Sequence, residues 1–196
     1  LRFGIENVSE NDLQVAAQAG ARIRLAGTLT LDGNSLVARV LPALVESDNE
    51  LYHVQQEANG VLIAPLFAGE QFLKGRGAGS HPTGSAVWAD VSAALEGYRY
   101  AYPKAGGERV VLNPDKKINV YLRCPASAQL LSGVWEKLTK IGTQSDATYY
   151  TAVISCRDLQ RLQAQFASRG IFVAEISTSL AGKLTRAIVD HRVMVS

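Results

Sequence analysis

The sequence has 196 residues, enough for one domain of ordinary size or for one domain and part of another. Hydrophobic residues make up 47% of it and charged residues 19%, and the net charge of +2 is too small to favour nucleic acid or an anionic membrane as the main partner. The longest uncharged apolar run, residues 61–68, contains a proline and is far shorter than the roughly 20 residues that span a bilayer, so no transmembrane helix is predicted.

The first half of the chain predicts a helix, two strand pairs and a second helix. Ser9 and Asp12 have the spacing of a capping box before a helix of about ten residues, and Gly20 is its predicted stop. Asp32-Gly33, between two β-prone runs, predicts a hairpin whose second strand should end at Pro42. The predicted strands are residues 22–25, 35–41, 60–67 and 71–74, and the second helix covers residues 82–95.

The second half predicts alternating strands and helices. The strands are predicted at residues 118–122, 148–155 and 171–176. Apolar residues at helical spacing from Leu130 to Ile141 predict a helix that ends at Gly142, and Asp158 is the predicted cap of another that ends at Gly170. We expect a small sheet with both helices on one face, whereas residues 177–196 fit either a helix or a strand.

Charge and a flexible segment divide the chain. Residues 1–107 carry 8 basic and 11 acidic side chains, whereas residues 108–196 carry 12 and 7. The segment 102–108, with a proline and two adjacent glycines, is typical of a linker, so we place a boundary near residue 106. The predicted fold is α+β: residues 1–106 form a largely antiparallel sheet with helices packed on it, and residues 107–196 form a small α/β sandwich.

Cysteine and histidine usage argues against disulfide and metal sites. Cys124 and Cys156 lie in strand-like runs without C-x-x-C spacing, so we expect two reduced core thiols in a cytoplasmic protein. The three histidines have no metal-ligand spacing, and no secretory signal opens the chain. Because the chain begins at Leu1 and its only methionine is Met194, we expect a processed product or the rear part of a longer protein.

The glycine-rich segment 75–87 is the strongest candidate site, since a predicted strand enters it and a predicted helix leaves it. Its glycines permit positive φ and let a ligand lie against bare peptide, and Pro82 suits the first helical turn. The amides at that helix start would favour an anion or a polar carbonyl group. The segment lacks the Gly-Lys-Ser/Thr of a P-loop and the spacing of a Rossmann fingerprint, so the alternative is a tight turn that only packs a helix.

Three stretches of the chain resemble homoserine dehydrogenases. Residues 75–90, GRGAGSHPTGSAVWAD, resemble the segment G-x-G-A-G-x-x-P-T-A-S-A-V-x-x-D near the end of that family's catalytic region. Residues 4–25 are similar to the family's segment G-I-x-x-I-x-x-x-D-I-x-x-A-x-x-x-G-x-x-I-K-L, and residues 38–42 and 57–61 to its A-R-V-x-P and N-A-V segments. The resemblance covers residues 4 to about 95. The chain departs from the family at Gly84, which replaces an alanine, and at residues 49–51, which replace His-Pro-Leu.

The resemblance implies an enzyme that interconverts L-homoserine and L-aspartate 4-semialdehyde with NAD(P), in threonine, methionine and isoleucine biosynthesis. It places the family's nucleotide-binding domain and catalytic lysine before Leu1, so no catalytic residue is assigned here and the chain alone should be inactive. It also implies a homodimer, and that the backbone of Gly77, Ala78 and Gly79 approaches the nicotinamide end of the coenzyme.

The rear of the chain suggests a second function. Many members of this family carry a C-terminal ACT domain that binds an amino acid, and residues 118–176 resemble its alternation of strands and helices. The turn at residues 123–129 lacks the Asp-x-Pro-Gly usual in ACT domains. The alternative to an enzyme part is therefore a non-catalytic dimer that senses an amino-acid effector.

Overall fold

A computed structural model describes residues 1–99, 110–144 and 146–194. The chain forms two units, Leu1–Ser47 with Arg109–Ser196, and Asp48–Glu108. The helices are α1 (Glu10–Gln18), α2 (Ser80–Leu95), α3 (Cys156–Ser168) and α4 (Leu180–Met194), with a 3₁₀ turn at Glu50–His53. The strands are β1 (Ala21–Asp32), β2 (Ser35–Glu46), β3 (Ala58–Ile63), β4 (Gln71–Arg76), β5 (Val111–Leu112), β6 (Lys117–Pro125), β7 (Lys137–Gln144), β8 (Ala147–Ser155) and β9 (Phe172–Glu175).

The larger unit is built on one seven-stranded sheet. Its order is β1-β2-β9-β6-β8-β7, with β5 pairing beside β2. Only the contacts of β2 with β5 and β9 are parallel among the described strand pairs, so the sheet is mostly antiparallel and the predicted α+β class is confirmed. One core cluster joins α1 and α4 to one face, and a second joins α3 and Phe3 to the other.

The local signals of the first half are present in the structure. Ser9 and Asp12 form the predicted capping box of α1, and Gly20 follows that helix with φ +74°. The predicted hairpin joins β1 to β2, with Asp32 opposite Ser35 and Gly33 at φ +55°. The prediction that Pro42 ends β2 is wrong, since the strand continues to Glu46. A proline removes a single N–H donor, whereas the β1–β2 register continues past it to the pair Ala21–Glu46.

The helix predicted between residues 130 and 141 is wrong. Residues from Lys137 onward form strand β7, which pairs with β8 from Lys137–Val153 to Gln144–Ala147. Gly133 has a φ of +89°, which interrupts any helix through this region. Gly142 does not end a helix: it lies in β7, where the Ile188 side chain of α4 occupies the space that a Cβ would take.

The rear strands have the order of a ferredoxin-like sheet. Across the sheet they run β9-β6-β8-β7, which is the order 4-1-3-2 when the four strands are numbered along the chain. The predicted strands at 118–122, 148–155 and 171–176 correspond to β6, β8 and β9. The predicted pair of helices on one face is wrong, because residues from Lys137 onward form strand β7 and only α3 of that pair is a helix. Residues of the ambiguous tail form α4, which belongs to the other core cluster than α3.

Two ion pairs, one at the buried Asp12 and one that is partly buried, connect residues 1–47 to the rear strands. The Asp12 carboxylate, 1% exposed, accepts hydrogen bonds from Arg123 Nε at 2.8 Å and the Tyr121 hydroxyl at 2.9 Å. Arg39 binds both oxygens of Glu175 at 2.7 and 2.8 Å, and this raises the pKa of Arg39. The sheet therefore crosses the predicted boundary, and the predicted linker 102–108 lies outside the described residues.

The smaller unit contains an antiparallel hairpin of β3 and β4 and the helix α2. One face of the hairpin packs Phe72 and Val54 against Gly60, where a Cβ would collide with both side chains. The side chains on the other face of the hairpin are exposed.

Among the described residues, no helix is long and apolar enough to span a membrane.

Candidate functional site

The glycine loop connects β4 directly to α2. Strand β4 ends at Arg76 and α2 begins at Ser80, so Gly77, Ala78 and Gly79 alone join them, and all three are exposed. Gly79 is the N-cap residue and has a φ of +105°, a conformation that L side chains rarely adopt. Its carbonyl accepts the first helical hydrogen bond from the Thr83 N–H at 3.2 Å. The chain therefore needs glycine at this turn.

The approach to the loop is a strip of bare backbone. Gly75 lies opposite Asn59 in the β3–β4 register, and open space surrounds the position of its absent Cβ. The Gly77 N–H donates to the Glu57 carbonyl at 3.1 Å, which holds the end of β4 against the start of β3. A Cβ at position 77 would collide with the amide of Asn59. Gly75 and Gly77, at the end of β4 and just beyond it, thus present backbone without side chains on one face.

The N-terminus of α2 faces a surface depression. Among the described residues no side chain caps this helix, and its first turn holds no acidic residue, so its free amides and dipole favour a negative or carbonyl oxygen. Arg76 Nε lies 3.6 Å from Glu57 Oε1 at the edge of the depression. The depression is lined by Glu57, Arg76, Ala78, Gly79, Ser80, His81 and Pro82.

The three predicted site residues are thus brought together, with their backbone accessible at a helix start. His81 and Ser80 also line the depression, but no carboxylate of the described residues pairs with His81 to make it a general base. No group of three or more His, Cys, Asp or Glu side chains in the described part of the chain could hold a metal ion.

Sequence reasoning missed Asn59 as a residue of this site. It was part of a resembling stretch, with no role assigned. The predicted turn at residues 68–70 would place Asn59 opposite Gly79, which is wrong, because β3 ends at Ile63 and the loop covers residues 64–70. The observed register pairs Asn59 with Gly75 and puts its side chain over the bare strip.

Comparison with known proteins gives one family. Residues 2–92 match the profile of the homoserine dehydrogenase family. The homoserine dehydrogenase of Neisseria gonorrhoeae is 35% identical over 88 residues, which cover 45% of this chain and 20% of that protein. That of Mycobacterium leprae is 28% identical over 182 residues, 89% of this chain and 36% of its own length. The sequence similarity therefore extends into the rear of the chain.

Solved structures show the same fold. A homoserine dehydrogenase from Thiobacillus denitrificans superposes with a TM-score of 0.61 at 20% identity, covering 90% of this chain and 47% of that chain. The S. aureus homoserine dehydrogenase at pH 7.0 gives 0.54 at 21% identity, covering 89% and 46%. In all of these comparisons the chain spans less than half of the relative's length.

Proposed function

We propose that this chain works as part of an NAD(P)-dependent homoserine dehydrogenase, because residues 2–92 match the profile of that family. The reaction interconverts L-homoserine and L-aspartate 4-semialdehyde, in the biosynthesis of threonine, methionine and isoleucine. The chain contributes the sheet, a subunit contact and the glycine loop. We place this activity in the cytoplasm.

The chemistry sets what such a site must do. Oxidation of the homoserine alcohol removes a hydride from the carbon and a proton from the hydroxyl. A bound nicotinamide coenzyme would supply the acceptor for the hydride, and a base would have to accept the proton. We assign no residue of this chain to that base, since His81 has no orienting carboxylate among the described residues. The chain's share of the reaction is to position the coenzyme.

The observation that carries the proposal is the exposed backbone of Gly77, Ala78 and Gly79 at the start of α2. A flat nicotinamide ring can lie against peptide only where side chains are missing, and open space surrounds the position of the absent Cβ at Gly75. The amides of the first turn of α2 present a positive partial charge to carbonyl or phosphate oxygens. These features fit a nicotinamide coenzyme.

A second subunit is part of the proposal. Strand β1 forms one edge of the seven-stranded sheet and exposes Leu25, Leu29 and Leu31 at alternate positions, with exposures of 54%, 72% and 61%. Apolar edge strands are usually covered in native assemblies. We propose that a homodimer covers this edge.

An amino-acid effector at the rear module is the second candidate function. The ferredoxin-like strand order favours it, since ACT domains have this architecture. Calorimetry with threonine on the whole chain tests it. Measurable binding supports a sensor role, and the absence of binding heat at millimolar threonine rejects it for that ligand.

Titration with NADPH and assay with homoserine test the main proposal. We expect the 196-residue chain alone to show neither NADPH binding nor homoserine oxidation, and a longer protein that carries this chain behind a coenzyme-binding domain to show both. Homoserine oxidation by the 196 residues alone would reject the proposal that the coenzyme-binding domain and the catalytic base lie outside this chain. A longer protein that binds NADPH but does not oxidise homoserine would reject the substrate.

A further inference from the structure

The Asn59 side chain lies against the backbone of Gly77 in the glycine loop. On the exposed face of the β3–β4 hairpin, Asn59 stands opposite Gly75, and its amide group fills the place where a Cβ of residue 77 would be. The opposite face of the hairpin is occupied by packing of Phe72 and Val54. Asn59 therefore projects from the same face that leaves residues 75 and 77 without side chains.

The amide of Asn59 is available to a ligand. Within the described residues, the side-chain oxygen and NH₂ group of Asn59 form no hydrogen bond, whereas the neighbouring Gly77 N–H and the Arg76 side chain both have partners. The Gly77 N–H next to it donates to the Glu57 carbonyl, and Arg76 pairs with Glu57. The backbone and charges around Asn59 are therefore satisfied, whereas its amide presents a donor and an acceptor to solvent, side by side.

A primary amide is matched best by another primary amide, because each then donates one N–H and accepts one. A carboxylate on the same spot would use only the NH₂ of Asn59 and would oppose its oxygen. The nicotinamide ring carries a primary carboxamide. We propose that the Asn59 amide hydrogen-bonds the coenzyme's carboxamide and so fixes the ring against Gly77–Gly79. This inference rests on the proposed function and names a further specificity residue for it.

The test compares two coenzymes in the longer protein that carries this chain. One is NADP⁺, and the other is its 3-acetylpyridine analogue, in which a methyl group replaces the NH₂ of the carboxamide. Dissociation constants are measured by tryptophan quenching. Loss of one neutral hydrogen bond costs about 0.5–1.5 kcal/mol, so the native enzyme should prefer NADP⁺ by about two- to thirteenfold. Asn59→Ala should remove most of this preference.

A matched control comes from the same hairpin. Gln71 is an exposed amide on the same face, at the far end of β4 opposite Ile63. Gln71→Ala should leave the preference for NADP⁺ unchanged. Because the preference is a ratio of two affinities in one protein, a general loss of stability cancels from it, and circular dichroism confirms that each variant is folded.

Three results would overturn the inference. An unchanged preference in Asn59→Ala means that the amide does not contact the carboxamide. An equal loss of affinity for both coenzymes means that Asn59 acts only on the shape of the loop. A rise in the KM of homoserine at constant preference means that Asn59 binds the substrate carboxylate instead. In each case Gly79→Ala should still weaken NADP⁺ binding. If that variant and the native protein both bind no coenzyme, the proposed function itself has failed.

Discussion

The Asp12 carboxylate is almost fully buried and is held by four donors. These are the Ser9 N–H and hydroxyl, the Tyr121 hydroxyl and Arg123 Nε, at 2.6 to 2.9 Å. The sequence predicts the Ser9 part of this network, because a capping box has fixed local spacing. It could not predict Tyr121 and Arg123, which lie more than 100 residues away and reach Asp12 only through the assembled sheet.

Replacing Asp12 should cost much more than replacing an exposed acid. Asp12→Asn leaves the Arg123 guanidinium, 12% exposed, without its counter-charge, and breaking a buried pair typically costs about 3–5 kcal/mol. Urea unfolding measures the change in the free energy of unfolding. Arg161→Gln is the control, since its pair with Asp158 is exposed and should cost less than about 1 kcal/mol. Equal costs for the two variants would contradict this account.

Glu46 should make the stability of the larger unit depend on pH. Lys183 Nζ at 2.8 Å and the hydroxyls of Ser177 and Ser179 bind its carboxylate, and they hold the pKa of Glu46 below its ordinary value. A lowered folded pKa stabilises the fold at pH values above the ordinary carboxyl value of about 4.3, and this contribution is lost as the pH falls through the lowered pKa.

Glu46→Gln should therefore reduce stability at pH 7 and flatten the loss of stability between pH 5 and pH 3. The measurement is denaturant unfolding at a series of pH values. Glu6→Gln, at an exposed carboxyl of the same unit, is the control and should keep the native acid dependence. If Glu46→Gln loses stability between pH 5 and pH 3 as steeply as the native protein, the three donors do not favour the charged form of the Glu46 carboxylate.

At the scale of elements, α2 offers a matched pair of glycines. Gly84 lies inside the helix with open space around its missing Cβ, so Gly84→Ala should stabilise α2 by about 0.5–1 kcal/mol. Gly79→Ala should destabilise the helix start by about 1–2 kcal/mol, because alanine is strained at φ +105°. Hydrogen exchange of the amides of residues 80–95 measures both. Protection that falls in Gly84→Ala or rises in Gly79→Ala would contradict these assignments.

Elements with strong local signals could be predicted from the sequence, and elements set by distant pairing could not. Helix α1 and the β1–β2 hairpin have capping and turn residues next to their own apolar pattern. The region from Leu130 to Ile141 has helical spacing, yet β8 supplies a partner strand and Gly133 breaks the helix. The glycine loop could be placed from its residues, whereas Asn59 needed the register of β3 with β4.

At the scale of the whole molecule, the rear strands should not fold without residues 1–47. Strand β2 pairs with β9, Arg39 binds Glu175, and the ring of Phe3 lies 6.3 Å from that of Phe166. Asn7 donates to the carbonyls of Phe166 and Ile171 at 3.1 Å. A fragment of residues 109–196 would lose all these partners and should expose the apolar surface that they cover.

Calorimetry of two fragments tests this dependence. Residues 109–196 alone should lack a cooperative thermal transition, whereas residues 1–47 joined to 109–196 by a short glycine-serine linker should keep one. A cooperative transition of residues 109–196 at the temperature of the whole chain would show that the rear module is independent of the front strands. Effector binding is therefore best measured on the whole chain.

The most direct test of the account is the coenzyme dependence of homoserine oxidation in the longer protein, compared between Gly79→Ala and Gly84→Ala. A backbone contact to the nicotinamide at Gly79 predicts that Gly79→Ala lowers kcat/KM for the coenzyme by about tenfold or more, equivalent to at least 1.4 kcal/mol, while Gly84→Ala stays close to the native value. Equal activity of both variants with the native protein would contradict the claim that this loop positions the coenzyme.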